Sequence, residues 1–164
     1  MNRIALIAAL LLPFLVLGAG IARNQSALSD AQEWRIPIAG YDPRDPLRGQ
    51  YVAFTYDWRV AGDPAICDKM QGCDLCLDRD GEQVTATVVS AGSQCAARVD
   101  PRLSRMDVRP SFGVGNSQFA SRIFVSESSA PALEEQLRTG PMVVVAALTP
   151  DGRLVNRAIE PAHR

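Results

Sequence analysis

From Tyr51 to Trp58 the sequence alternates without a break: Val52, Phe54, Tyr56 and Trp58 fall on one side, Tyr51, Ala53, Thr55 and Asp57 on the other. A period of two fits a pleated strand and no helix, and the aromatic, β-branched side is the one expected to face a core. The residues before it form a rigid polar turn, Asp42-Pro43-Arg44-Asp45-Pro46-Leu47-Arg48-Gly49. Pro43 and Pro46 fix their own φ and push Asp42 and Asp45 away from helix. Gly49 can take the positive φ that entry into a strand often requires. Asp42, Arg44, Asp45 and Arg48 are close enough for the arginine forks to clamp the carboxylates, or for all four to face a partner. A network that holds the loop in shape is the expected arrangement.

Ahead of this element, Ile4 to Ala22 is almost wholly apolar, with Arg3 before it and Arg23-Asn24-Gln25 after. At a rise of 1.5 Å per residue the run approaches the roughly 30 Å of a hydrocarbon core. Such a segment either spans a bilayer or is a secretory signal. Gly18-Ala19-Gly20 would suit a signal peptidase, but a retained anchor is the expected outcome. No cysteine follows the run to carry a lipid, and no twin arginine precedes it. With Arg3 on the cytoplasmic side, the remainder is expected on the extracytoplasmic, periplasmic side of the inner membrane as a single-pass protein. The expected organisation is an anchor at 1–23, a linker at 24–32 and an exported domain at 33–164. Formal net charge is −1, and no Lys/Arg run points to nucleic acid.

Cysteine usage agrees with export. Cys67, Cys73, Cys76 and Cys95 are an even number in a short window, and an oxidising compartment would let them pair. Four cysteines permit three pairings, and nothing in the spacing chooses one. Cys73-Asp74-Leu75-Cys76 has redox-type CxxC spacing, yet no thioredoxin-like βαβ pattern surrounds it. The spacing C-x5-C-x2-C-x18-C matches no common zinc finger. Structural disulfides are therefore expected, with no metal and no cofactor. They would offset the chain entropy of a cysteine-bearing loop region at 61–95.

Elsewhere, Trp34 to Ile38 alternates as a half-buried strand, and Asp80-Gly81 is a tight-turn pair between Cys76–Asp78 and Gln83–Val89. Cys95 to Val99 is a candidate third strand. The arginines at 98, 102, 105 and 109 are interleaved with Asp100 and Asp107, so a solvated, salt-bridged face is expected there. Phe112-Gly113-Val114-Gly115 lacks the context of a phosphate loop. Phe119 to Val125 reads as a strand. Ser129 to Arg138 reads as a short helix with a capping serine and an apolar side of Leu133 and Leu137. Met142 to Leu148, the turn Thr149-Pro150-Asp151-Gly152 and Leu154 to Ile159 complete a hairpin. The expected fold class is mainly β (α+β), an antiparallel sheet domain with one short helix, preceded by an N-terminal transmembrane helix.

The stretch from Asp42 to Tyr56 resembles the signature of the GDYXXLXY family, a group of predicted membrane-anchored proteins of unassigned activity. In that family a DPR-type turn leads into Arg-Gly-Asp-Tyr, two variable residues, Leu, one variable residue and Tyr. Arg48, Gly49, Tyr51 and Tyr56 match, whereas Gln50 replaces the family's Asp and Phe54 its Leu. A second segment, Arg122-Ile123-Phe124-Val125-Ser126-Glu127, is similar to the family's Arg-Tyr-Phe-Val-Pro-Glu, which singles out Arg122, Phe124 and Glu127. The cysteine-bearing middle looks like an insertion. The resemblance implies a membrane-anchored exported domain and brings no known reaction.

A hydrolase needs a nucleophile with a base in reach, and His163 is the single histidine. The turn-then-strand pattern is similar to the entry of the catalytic sheet in membrane-anchored signal peptidases, which use serine and lysine. Here the loop holds no serine, and Lys69, the only lysine, lies in the polar cysteine region. Each of Asp42 and Asp45 has an arginine nearby to keep it ionised, the reverse of a general acid. The expectation is a non-catalytic binding or assembly module for an integral membrane partner. The alternative is a thiol-disulfide or hydrolytic enzyme at the membrane surface.

Overall fold

The structure is a computed structural model that describes residues 3–40, 51–63, 66–67, 72–81, 83–109, 118–126 and 128–162. A long helix, α1 (Arg3–Ser29), leads into two packed sheets. The larger sheet is built from β1 (Gln32–Gly40), β2 (Tyr51–Tyr56), β7 (Asp107–Arg109), β8 (Gln118–Phe124), β9 (Met142–Leu148) and β10 (Leu154–Pro161). Its order is β10-β9-β1-β2-β8-β7, antiparallel throughout. The smaller sheet contains β3 (Arg59–Ala61), β4 (Cys73–Asp80), β5 (Gln83–Ser90) and β6 (Arg98–Val99), in the order β3-β5-β4-β6. A short helix, α2 (Ala130–Thr139), packs Leu133 and Leu137 against the core.

The predicted β-rich, antiparallel architecture is present, with one departure: β3 runs parallel to β5. The chain reaches β3 directly from the end of β2, so the direction of β3 is set before its partner strand exists in sequence. The transmembrane character expected of the first helix is a separate matter. Among the described residues no helix is long and apolar enough to cross a membrane.

One core joins the sheets. Val52, Phe54, Tyr56 and Trp58 are all buried, as their alternation requires, and the last three share one apolar cluster with Leu75, Leu77, Val84 and Val88 of the smaller sheet. The aromatic members form a ladder: Tyr56 stacks on Trp58 with centroids 4.5 Å apart, and Phe54 and Phe119 meet this pair edge-on. Such pairs add to burial and fix ring orientation. At one end Arg79 of β4 lays its guanidinium 4.7 Å from the Trp34 ring and donates to the Glu33 carbonyl, tying β4 to β1.

Pro37 lies in β1, an interior strand, where proline normally breaks a ladder. The Pro37 carbonyl accepts the Asp57 N–H, and the β1–β2 pairing begins only at Ile38↔Tyr56. Because the N–H and C=O of an extended residue point to the same side, the missing donor falls where β2 has already ended. The one bond forgone is the return bond to the Asp57 carbonyl, at the very end of the β1–β2 ladder.

The middle segment at 61–95, expected as a loop region with one short hairpin, is instead built around two eight-residue strands. The hairpin is correct, with Asp80↔Gln83 pairing at its tip and Gly81 at φ 63° in the turn. Strand β4 extends back to Cys73 because Cys73, Leu75 and Leu77 fill the core. Two disulfides form, Cys67–Cys73 and Cys76–Cys95. The CxxC pair does not bond to itself: residues three apart on a strand point to opposite faces. Asp74, on the same face as Cys76, is buried beneath the turn after β5 and accepts from the Gly92 N–H at 2.7 Å and from Arg98 at 3.2 Å. The helix cap also departs from expectation. Ser129 makes no side-chain capping bond, its hydroxyl turning back to the Ser126 carbonyl.

Cross-link spacing gives a stability expectation. The bridges span 19 and 6 residues, so chain entropy assigns about 3 kcal/mol to Cys76–Cys95 and about 2 kcal/mol to Cys67–Cys73. Urea denaturation of paired Cys→Ser variants should show that order. A larger loss from the short bridge would count against a purely entropic role.

Candidate functional site

Tyr51 and Tyr56 are five residues apart on one strand, so they must face opposite sides. Tyr56 points inward. Its hydroxyl donates to Asn156 Oδ1 at 2.9 Å, and Asn156 Nδ2 donates to Ser121 Oγ at 2.9 Å. This relay joins β2 to β10 and β10 to β8, strands that are not neighbours in the sheet order, so the larger sheet is curled towards closure. A register shift between Asn156 and Ala158 bends β10 at this point. Burial pushes the Tyr56 hydroxyl up to about 12, with the adjacent Ser121 and Asn156 groups offsetting it only in part.

Tyr51 points outward. Its cross-strand partner is Phe124, at 6.3 Å between ring centroids, and the Arg122 guanidinium lies 5.6 Å from the Tyr51 ring. Arg122 also pairs with Asp107 of β7 at 3.1 Å. The two motifs singled out in sequence, more than sixty residues apart, are therefore adjacent strands of one sheet. In this register the signature strand and the Arg-x-Phe segment pair residue for residue. The chain belongs to the GDYXXLXY protein family. Its sequence matches that family over residues 13–159. No curated protein and no solved structure matches the chain.

Where β8 and β10 approach, they leave a groove of about 670 Å³, its third wall being the turn at 101–106. Ser121 and Asn156 form part of its floor, and Arg102, Arg105, Arg122 and Arg153 line it with Asp107. Leu103 and Phe124 stand at its side, 50% and 69% exposed. The turn is held by Asp100, whose carboxylate accepts the N–H groups of Arg102 and Leu103. It closes with Arg105 N–H on the Arg102 carbonyl and Met106 N–H on the Pro101 carbonyl, with Arg105 at φ 54°. That is the bonding pattern of a helix C-terminus made on a single turn, and its left-handed position, usually glycine, carries an arginine.

Of the residues proposed from sequence, Asp42, Arg44, Asp45, Arg48, Gly49 and Glu127 lie outside the described residues, as does the stretch from Phe112 to Gly115. Tyr51, Arg122 and Phe124 come together in this GDYXXLXY protein, whereas Tyr56 is on the other face. The interleaved aspartates do not neutralise the arginines around them: Asp100 serves backbone, Asp107 serves Arg122, and Arg98 goes to Asp74. Among the described residues Arg102 and Arg105 have no acidic partner. Asn156, Ser121 and Arg153 carry no motif, and only knowing that β10 returns to β8 would have found them.

The Tyr56 shift fixes the sign of a pH effect. The folded value, about 12, exceeds the ordinary value of 10.0, so this contribution is complete below about pH 10 and is lost as pH rises towards 12. The expected loss is about 2 kcal/mol, read by urea unfolding across this range with tyrosinate absorbance followed in parallel. Tyr56→Phe should flatten the alkaline loss while costing about 1 kcal/mol at neutral pH through the unpaired Asn156.

Proposed function

We propose that this GDYXXLXY protein is a membrane-anchored extracytoplasmic module, non-catalytic, that binds or positions an integral membrane partner. The observation that carries the reading is the surface of α1. Nine large apolar side chains between Ile7 and Ile21 are each at least half exposed, with Leu10, Leu11 and Leu12 on successive bearings around the helix. A helix that is apolar on every side and covered by none of the described residues needs an apolar surrounding. Together with Ile4, Ala5 and Leu6 from the sequence, the uncharged run from Ile4 to Ala22 is long enough to approach a bilayer core.

Two further features support it. Both disulfides suit an oxidising compartment. The polar end of α1 is fastened to the domain, Arg153 donating to Asn24 Oδ1 at 2.8 Å and Arg157 to the Leu28 carbonyl at 3.1 Å. The domain is thereby held against its anchor rather than swung on a linker. The buried polar groups described above, Asp74 and the Tyr56 relay, serve to hold the sheets, which fits binding better than catalysis.

The test is topology. The protein should stay with membranes through an alkaline wash, its domain should be cleaved by protease only from the extracytoplasmic face of sealed vesicles, and Leu11→Arg with Leu15→Arg should release it. Two arginines at mid-span cost roughly 5 kcal/mol or more. Recovery of the unaltered protein in a soluble fraction with reduced thiols would sink the proposal. Co-purification from detergent-solubilised membranes then identifies the partner.

A further inference from the structure

We infer that the groove between β8, β10 and the 101–106 turn holds the phosphate headgroup of an anionic glycerophospholipid from the extracytoplasmic leaflet of the bilayer that α1 crosses. The inference rests on the anchor reading and adds a ligand to it. Depth is the first argument. Arg153 lines the groove and bonds to Asn24, two residues past Ala22, where the apolar run ends. At helical rise that is about 3 Å beyond the hydrocarbon edge, inside a headgroup layer of roughly 5–7 Å per leaflet. Fastening α1 to β10 thus sets one groove wall at phosphate depth.

Charge is the second argument. Four arginines and one aspartate line the groove; that aspartate is already taken by Arg122, and the Arg102 guanidinium rests beside Gly72. The sequence has no basic run because these arginines come from three separate places: Arg102 and Arg105 from one turn, Arg122 from β8, and Arg153 from the residue before β10. Guanidinium forks match phosphate oxygens. The exposed Phe124 and Leu103 beside them supply the apolar contact that a lipid offers and a soluble anion does not.

Backbone geometry is the third argument. Arg105 occupies a left-handed position, φ 54°, that glycine would fill with less strain. Keeping arginine there sacrifices stability for a guanidinium at the groove mouth. Arg105→Gly therefore separates stability from binding.

The full chain, in micelles of a neutral detergent, is titrated with phosphatidylglycerol or phosphatidylcholine and its thermal unfolding is followed. Phosphatidylglycerol should raise Tm by roughly 5 °C at a hundredfold excess over Kd, and phosphatidylcholine should not. Arg105→Gly should unfold at the same or a higher temperature without lipid and lose at least half of the shift. Arg102→Ser should lose a similar share, and both variants should remain in membranes. Equal shifts from the two lipids would overturn the inference, as would an undiminished shift in both variants. Reproduction of the shift by inorganic phosphate would remove the lipid assignment, and a larger shift from polyglutamate would replace it with an acidic protein segment. Loss of membrane retention in the unaltered chain would defeat the anchor reading and with it the depth argument, while the micelle titration separately reads whether the groove takes the headgroup.

Discussion

A phenol removed from water needs a partner, and Tyr56 finds one at the far end of its own sheet. Its bond to Asn156, passed on to Ser121, holds β10 near β8 across the width of the larger sheet. Without it the tie across the curled sheet would be lost, two hydrogen bonds each worth about 1 kcal/mol net, with a larger penalty for any group left unpaired. The relay also explains why β10 is bent where it is. The register shift after Asn156 brings the amide inward and leaves Arg157 on the outside, where it reaches the Leu28 carbonyl. Closure of the sheet and attachment of the first helix are consequences of one irregularity.

The smaller sheet solves a different problem. Strand β4 carries Cys73, Asp74, Cys76, Asp78 and Asp80, a poor composition for a strand. Its place is secured from both faces. Cys73, Leu75 and Leu77 enter the common core, while on the outer face the turn after β5 is fixed by the Cys76–Cys95 bridge and by Asp74 gripping Gly92 and Arg98. A carboxylate taken out of water is tolerable because a backbone N–H and a guanidinium both meet it. The two bridges act as staples for irregular chain, and the strand alternation that separates Cys73 from Cys76 denies them dithiol chemistry with each other.

What could be read from the chain divides by range. The strand at 51–56, the Asp-Gly hairpin, α2 and the final hairpin were legible because each is specified by neighbours within ten residues, through periods of two or 3.6 and turn residues. Even the opposite facing of Tyr51 and Tyr56 follows from their odd spacing. Strand β4 was partly hidden because burial of Cys73 and Leu75 depends on a sheet formed elsewhere. The parallel β3, the insertion of β1 between β9 and β2 despite Pro37, and the groove were not legible for the same reason. No local pattern says that Arg105, Arg122 and Arg153 will share a cavity. Charge interleaving was misleading in a specific way: it counted Asp100 as a counter-ion, whereas its carboxylate is spent on backbone N–H groups.

The signature strand has two faces with different duties, and the arrangement ties them together. Inward, Phe54 and Tyr56 build the core and its closing relay; outward, Tyr51 supports Arg122 and Phe124 at the groove edge. Ser121 and Arg122 are consecutive on β8, so the residue that receives the relay and the residue that pairs with Asp107 share a backbone. A shift of β8 against β2 by one residue would exchange these faces, burying a guanidinium and exposing the relay. The register is therefore fixed by the core, and the outward cluster inherits its geometry from it. A surface assembled in this way is held rigid at its β2–β8 side, while its other wall is held through Arg153 to the end of α1. The groove thus lies between one boundary set by the interior of the domain and one set by the helix that precedes it.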